Sequence, residues 1–286
     1  MEFDRRELKR QAREAMFLAS PPFWLVTLVY ILATTGLSYL VDTIPFPSDP
    51  ALGFGTAGLF TSILLTLYTL VMDFGFKLWS LWTHRRLDPG MGSLMQGFSV
   101  AGRVLLLELF IFGRIFGWTL LFSFVATIPM LFLSASISTM TWILSLLLYI
   151  PVWIISLRYS LAHFLLADHP DDGPSAAINR SVRLMDGWKW EYFKLDLSFL
   201  GWELINGVLS AAVLAFFLLR QGTPVFGSLD QFYSVYAAVS YLPMYILLSF
   251  LITLPVSLWL RPYREVARAG FYDARLRLQR ESAPQL

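Results

Sequence analysis

Besides Lys77, which sits at the end of the second stretch and counts with the basic connection that follows it, six charged side chains lie inside stretches that are otherwise apolar enough to cross a bilayer: Asp73, Glu108, Arg114, Arg158, Asp196 and Glu203. A charge near mid-bilayer costs on the order of 3 kcal/mol on insertion scales, so such groups are paired with one another or face a wet cavity. Their chemistry is therefore either architectural, ion pairs that hold helices in register, or functional, a polar path for an ion or an amphiphile. Counting inward from the flanking basic segments at about 1.5 Å per residue places Arg114 and Glu203 at a common depth near mid-membrane. The same count puts Asp73 and Arg158 together at a shallower level. The spacing thus predicts two interhelical pairs, Arg114 with Glu203 and Asp73 with Arg158, and the architectural role leads because paired buried charges often serve only structure.

One other stretch concentrates reactive types. His163, Asp168, His169, Asp171 and Asp172 bring imidazoles and carboxylates close together, as a metal site would. The same residues are ordinary constituents of a Pro-Gly turn and a helix start, and that reading is preferred. No phosphate-binding loop, nucleophile-elbow motif or His-Glu-x-x-His helix is present. The chain therefore reads as non-enzymatic, with no catalytic, cofactor-binding or metal-ligating residue and no cofactor. Cysteine is absent, which removes disulfide frameworks and thiolate sites. A net charge of +2 is too small for a nucleic-acid binder.

The elements that must position the six charges are apolar. Of 286 residues, 56% are hydrophobic and 15% charged, a balance that a water-exposed surface does not tolerate. A spanning helix needs roughly 20 apolar residues. Six stretches qualify: Phe23 to Val41, Leu59 to Trp82, Val104 to Leu133, about Met140 to Leu161, Leu195 to Leu219 and Val239 to Leu260. Pro129, Pro151, Pro243 and Pro255 fall within them and are tolerated where neighbouring helices satisfy the freed carbonyls. The first stretch has no clear cleavage site after it and reads as an uncleaved signal anchor. Outside the spans, Lys and Arg concentrate in the N-terminal tail, the second-to-third and fourth-to-fifth connections and the C-terminal tail, with Arg220 alone on the alternate side. The positive-inside rule then puts both termini in the cytoplasm. The fold class is all-α: one domain over residues 1–286, a polytopic membrane protein of six transmembrane helices with amphipathic surface helices on the cytoplasmic side.

Those surface helices are legible individually. Asp4 and Glu7 form a capping-box pattern, and Leu8, Ala12, Ala15 and Ala19 then recur at helical spacing opposite Arg6, Arg10 and Arg13, which gives residues 1–20 an amphipathic helix on the membrane surface. In the basic tail, residues 261–286, Pro262 suits a first helical position. Tyr263, Val266, Ala267, Gly270, Phe271, Ala274 and Leu278 share one face there, and Arg264, Arg268 and Arg275 cover the other. In the fourth-to-fifth connection, Asp171-Asp172-Gly173-Pro174 starts a helix whose Ile178, Ser181, Val182 and Met185 share a face, with Gly187 ending it and Trp188, Trp190 and Tyr192 following. Such basic surfaces fit membrane lipids, with anionic headgroups worth around 1 kcal/mol per Lys or Arg, and also fit a membrane-protein partner or a second copy of the chain. No internal repeat is found, so an inverted-repeat transporter is not supported.

Three segments carry a resemblance. Arg5-Arg6-Glu7-Leu8-Lys9-Arg10-Gln11-Ala12-Arg13, the run from Arg158-Tyr159-Ser160-Leu161-Ala162-His163 to Ala167-Asp168-His169-Pro170, and Leu184-Met185-Asp186-Gly187-Trp188-Lys189-Trp190 with Leu197-Ser198-Phe199-Leu200-Gly201-Trp202 are similar to the bacterial integral membrane proteins of domain-of-unknown-function family 975. Arg261-Pro262-Tyr263 and Ala269-Gly270-Phe271-Tyr272 resemble the end of that family. The chain departs from the pattern at Ile150-Pro151-Val152, where an Ile-Pro-Gly-like turn is expected. The resemblance implies a multi-pass protein of the bacterial cytoplasmic membrane and no particular activity. The leading functional expectation is a non-enzymatic membrane protein that organises or binds lipid or partner membrane proteins. The rival is a transporter or exporter component for an amphiphilic or peptide-like substrate. Dry, mutually paired charges favour the first, and charges lining a continuous cavity favour the second.

Overall fold

A computed structural model describes residues 4–42, 44, 55–130, 148–220, 229–240 and 242–282, and among the described residues every regular element is helical. The chain opens with α1 (Arg5–Leu18), whose cap forms as the sequence predicts: the Asp4 carboxylate accepts from the Arg6 amide at 2.8 Å. Glu7 does not complete the box, because its carboxylate is taken by Arg10 at 2.7 Å and Gln11 at 2.8 Å. Leu8, Ala12, Ala15 and Met16 are buried, but against other helices and not against lipid. The helix expected to lie on the membrane by this face instead uses it to join the core.

Six helical stretches are long and apolar enough to span a bilayer. The first is continuous from α2 (Phe23–Ile31) through a π turn at Leu32–Gly36 into α3 (Leu37–Asp42). The second is α4 (Thr56–His84) and, after the short α5 (Gly92–Ser99), the third is α6 (Ala101–Met130). α5 lies hard against α4 through two glycines. A Cβ on Gly75 would sit 2.1 Å from the Leu94 carbonyl oxygen, and one on Gly97 would sit 2.6 Å from that of Val71, so only hydrogen fits at either position.

Within the described residues the fourth span covers Leu148 to Asp168; the part of the expected stretch before residue 148, including Met140, lies outside the described residues. It consists of α7 over 148–156, a 3₁₀ turn at Leu157–Tyr159 and α8 (Ala162–Asp168). α9 (Pro174–Leu184) begins on Pro174 and buries Ile178 and Ser181, with Met185 buried just past its end and Gly187 adopting φ 73° soon after.

The fifth span does not start at Leu195: α10 (Lys189–Leu197) ends, the chain turns at Ser198 and Phe199, and α11 (Leu200–Arg220) is the spanning helix. Asp196 therefore lies outside the span, and Glu203 sits in the first turn of α11. After α12 (Leu229–Ser240), α13 runs unbroken from Pro243 to Ser282. Pro243 starts the sixth span, and Pro262 sits inside a helix where a new start was expected. A proline removes one amide donor and crowds one carbonyl, and the packing around α13 outweighs that cost.

At about 1.5 Å per residue α13 is roughly 60 Å long, twice a hydrocarbon core. Its second half is the post around which the densest core is built. Val266, Ala267, Ala269, Phe271 and Tyr272 are fully enclosed, together with Trp79 and Phe74 of α4 and Phe164 of α8. At the other extreme, α6 and α11 expose Phe112, Phe116, Leu120, Phe124, Leu204 and Val208, the kind of surface that lipid covers in a multi-pass membrane protein.

Candidate functional site

The basic end of the bundle is held by charge clasps. Arg85 caps α4 and donates to both oxygens of Asp168, at 2.6 and 2.7 Å, while also reaching Asp273 of α13 at 2.7 Å. The hydrogen bonds to Asp168 and Asp273 hold the guanidinium proton far more firmly than water would. The Tyr272 hydroxyl donates to Asp168 at 2.8 Å. Arg268 of α13 makes a second clasp, with both its contacts to Asp196 at 2.9 Å and one to Glu265 at 2.6 Å. Arg264 pairs with Glu203 at 2.7 Å. Lys9 donates to the carbonyl and hydroxyl of Ser198, at 3.3 and 3.2 Å, above the Phe199 ring, and its burial lowers the ammonium pKa.

The two predicted pairs do not form. Glu203 is taken by Arg264, and Arg114 has no described carboxylate within 4.0 Å. The depth match failed because α11 begins after the turn at Ser198: Arg114 is thirteen residues into α6 and Glu203 three into α11, a difference of about 15 Å along the two helices. Asp73 accepts instead from the Tyr30 hydroxyl, on the side of α4 that meets α2. Arg158 lies in the 3₁₀ turn with its Nε buried and unpartnered, and its carbonyl accepts from Ser181 at 2.8 Å. Equal depth does not make equal rotation about the helix axis. Glu108 meets His163 at 2.5 Å across α6 and α8, a contact the sequence reading missed. Four of the five residues weighed as metal ligands disperse accordingly: His163 to Glu108, Asp168 to Arg85, Asp171 to Arg103 and Asp172 to Arg180. Among the described residues no three His, Asp or Glu side chains converge on a common point.

Cavities lie beside these clasps. One of about 410 Å³ is lined by Asp73, Lys77, Glu203, Asn206, Arg261, Arg264, Glu265 and Arg268, among others. A second, of about 660 Å³, has Thr35, Ser210, Ser249, Thr253 and several large apolar side chains on its walls, and it shares Ser257 and Arg261 with the first. A third, of about 240 Å³, shares Lys77, Glu265 and Arg268 with the first and reaches His163 and Asp196. Ser249, Thr253, Ser257, Arg261, Glu265 and Arg268 recur every three or four residues and so form one polar stripe along α13 that borders all three spaces. Three atoms on these walls, Asn206 Oδ1, Arg264 Nε and Ser249 Oγ, are buried with no hydrogen-bond partner in the protein. Of the six charges singled out from sequence, this run of cavities brings together Asp73, Asp196 and Glu203, and leaves Glu108, Arg114 and Arg158 off its walls.

Residues 1–279 match the family described as Protein of unknown function (DUF975). The chain belongs to that family. No curated protein and no solved structure matches it. Arg85, Arg268 and Asp273 lie outside the segments that carried the resemblance, but in this DUF975 chain those segments supply Lys9, Asp168, Ser198 and Tyr272 to the clasps. Those shared segments were the one signal that could have pointed to these residues. Lys77 and Arg85 count in the sequence only as contributors to topology, and Arg261 as that and as part of the resemblance.

Proposed function

We propose that this protein is a non-enzymatic membrane protein that holds an amphiphile between its helices, headgroup in the charged cavity and chain in the larger one. It does so as a single six-helix domain with both termini in the cytoplasm. The observation that carries this reading is that the two cavities share Ser257 and Arg261 on their walls, with unpartnered polar atoms on both. A dry scaffold would bury its charges in pairs and leave no space beside them. Both volumes fall in the range of roughly 300–1,000 Å³ usual for small-ligand sites. The walls suit two chemistries: charged groups at one end, and large apolar side chains with hydroxyls at the other. This favours the transporter or lipid-binding role over the assembly of partner proteins.

Lipid contact extends to α1. Phe17 is 67% exposed and Leu18 64%, next to Arg13, a pairing of apolar and basic groups that suits the headgroup boundary. The test is native mass spectrometry of the full chain released from bilayers of mixed lipid. A co-purified amphiphile should be retained by the unaltered protein and lost from Ser257→Trp, which fills the junction between the cavities. Retention unchanged in Ser257→Trp would refute the site.

A further inference from the structure

We infer that the charged cavity selects an oxyanion headgroup, a phosphate or carboxylate, and that Lys77 and Arg261 are the residues that hold it. This rests on the amphiphile reading for the tail and adds the sign and chemistry of the head. The cavity wall carries four cations, Lys77, Arg261, Arg264 and Arg268, and three carboxylates, Asp73, Glu203 and Glu265. Glu203 is spent on Arg264 at 2.7 Å. Glu265 is spent on Arg268 at 2.6 Å, and Arg268 also grips Asp196. Asp73 accepts from the Tyr30 hydroxyl.

Two cations are left over. Neither Lys77 nor Arg261 has a described carboxylate oxygen within 4.0 Å. Arg261 lies over the Tyr30 ring with 5.7 Å to its centroid. An ammonium and a guanidinium, each without an ion-pair partner, line one partly enclosed space and lose hydration there. An anion bound in that space compensates both charges.

The geometry also says which anion chemistry fits. A guanidinium presents a planar fork that matches two oxygens of a phosphate or carboxylate, and the lysine adds a point charge. Arg261 lines both cavities, so a head bound there leaves its chain beside Ser249, Phe250 and Leu254. Arg264 Nε is an unpartnered donor for a further oxygen, and Asn206 Oδ1 is an unpartnered acceptor for a hydroxyl on the head. A quaternary ammonium would meet two unpaired cations and a single carboxylate without an ion-pair partner, Asp73, which already accepts from the Tyr30 hydroxyl.

The experiment uses the full chain in nanodiscs of neutral lipid and measures binding by calorimetry with three probes: dodecyl phosphate, dodecyltrimethylammonium and inorganic phosphate. Dodecyl phosphate should bind at least about ten-fold more tightly than the ammonium probe, a difference of about 1.4 kcal/mol. Lys77→Gln and Arg261→Gln should each weaken it by a similar factor, and Lys77→Arg should restore it. The comparison of probes on the unaltered protein needs no variant to fold.

Equal binding of the two dodecyl probes, both abolished by Ser257→Trp, would overturn the oxyanion inference and leave the amphiphile reading standing. Binding of inorganic phosphate with the same dependence on Lys77, and of neither dodecyl probe, would support the oxyanion site and overturn the tail. No binding by any probe would overturn both.

Discussion

Replacing Arg85 by alanine should be among the most damaging single changes in the protein, because it strands two carboxylates. The guanidinium sits between Asp168 at 2.6 Å and Asp273 at 2.7 Å, and these side chains are only 15% and 10% exposed. Removing one partner of a buried pair costs about 3–5 kcal/mol. Arg85 itself is 28% exposed, so water relieves part of the loss and the expected cost is at the low end, about 3 kcal/mol. Reversible unfolding in mixed micelles titrated with a denaturing detergent measures it. Adding Asp273→Asn to Arg85→Ala removes the repulsion between the stranded carboxylates and should recover about 1 kcal/mol, a coupling that independent sites do not show. Tyr272 still donates to Asp168 in both variants and cannot supply that difference. A loss below about 0.5 kcal/mol for Arg85→Ala, or strict additivity of the two changes, would place the clasp among exposed surface pairs and refute the reasoning.

The same unfolding assay tests packing and hydrogen bonding elsewhere. Gly75→Ala drives a methyl group into the Leu94 carbonyl and should cost about 1–3 kcal/mol, whereas Gly102→Ala, which meets nothing within 4 Å, should not destabilise. Tyr30→Phe removes the donor to Asp73 and should cost about 1 kcal/mol; no measurable loss would mean that the hydroxyl is not bonded there. Arg268→Lys cannot reach both Asp196 and Glu265 as the fork does, so it should destabilise although it keeps the charge. For orientation, the cysteine-free chain allows single substitutions: Arg180→Cys should be protected from an impermeant maleimide in intact cells and Thr223→Cys should react, and the reverse pattern would invert the topology.

Much of this architecture is legible in the sequence where a physical rule acts locally. Run length marks the six spans, and the amphipathic spacing of Leu8, Ala12 and Ala15 or of Ile178 and Ser181 marks faces that are buried in the structure. What those faces meet is not local. The apolar stripe of α1 looks the same whether lipid or α13 covers it, and in the fold α13 and α4 do. The turn at Ser198–Phe199 escaped for a similar reason: Leu195, Leu197, Phe199 and Leu200 continue an apolar run, so hydropathy alone joins α10 to α11. That single displacement moved Asp196 out of the span and Glu203 to its first turn, and the pairing of Glu203 with Arg114 went with it.

The site shows the same division between depth and rotation. Depth along a helix follows from residue number, but a side chain finds its partner through the direction it points. Each residue turns that direction by about 100°, so a shared level says little about contact. The polar stripe of α13 was nonetheless readable as periodicity, since Ser249, Thr253, Ser257 and Arg261 recur every four residues, and Arg264, Glu265 and Arg268 continue the same face. Reading Pro262 as a helix start cut that stripe in two, assigning its upper half to an uncharged span and its lower half to a surface tail. With α13 continuous, the hydroxyls that border the apolar cavity and the cations that border the charged one become parts of one surface, and Arg261 stands at the join. A ligand long enough to touch both halves must then carry its charge toward the basic end and its apolar part away from it. That polarity matches the one the flanking Lys and Arg residues impose on the chain itself.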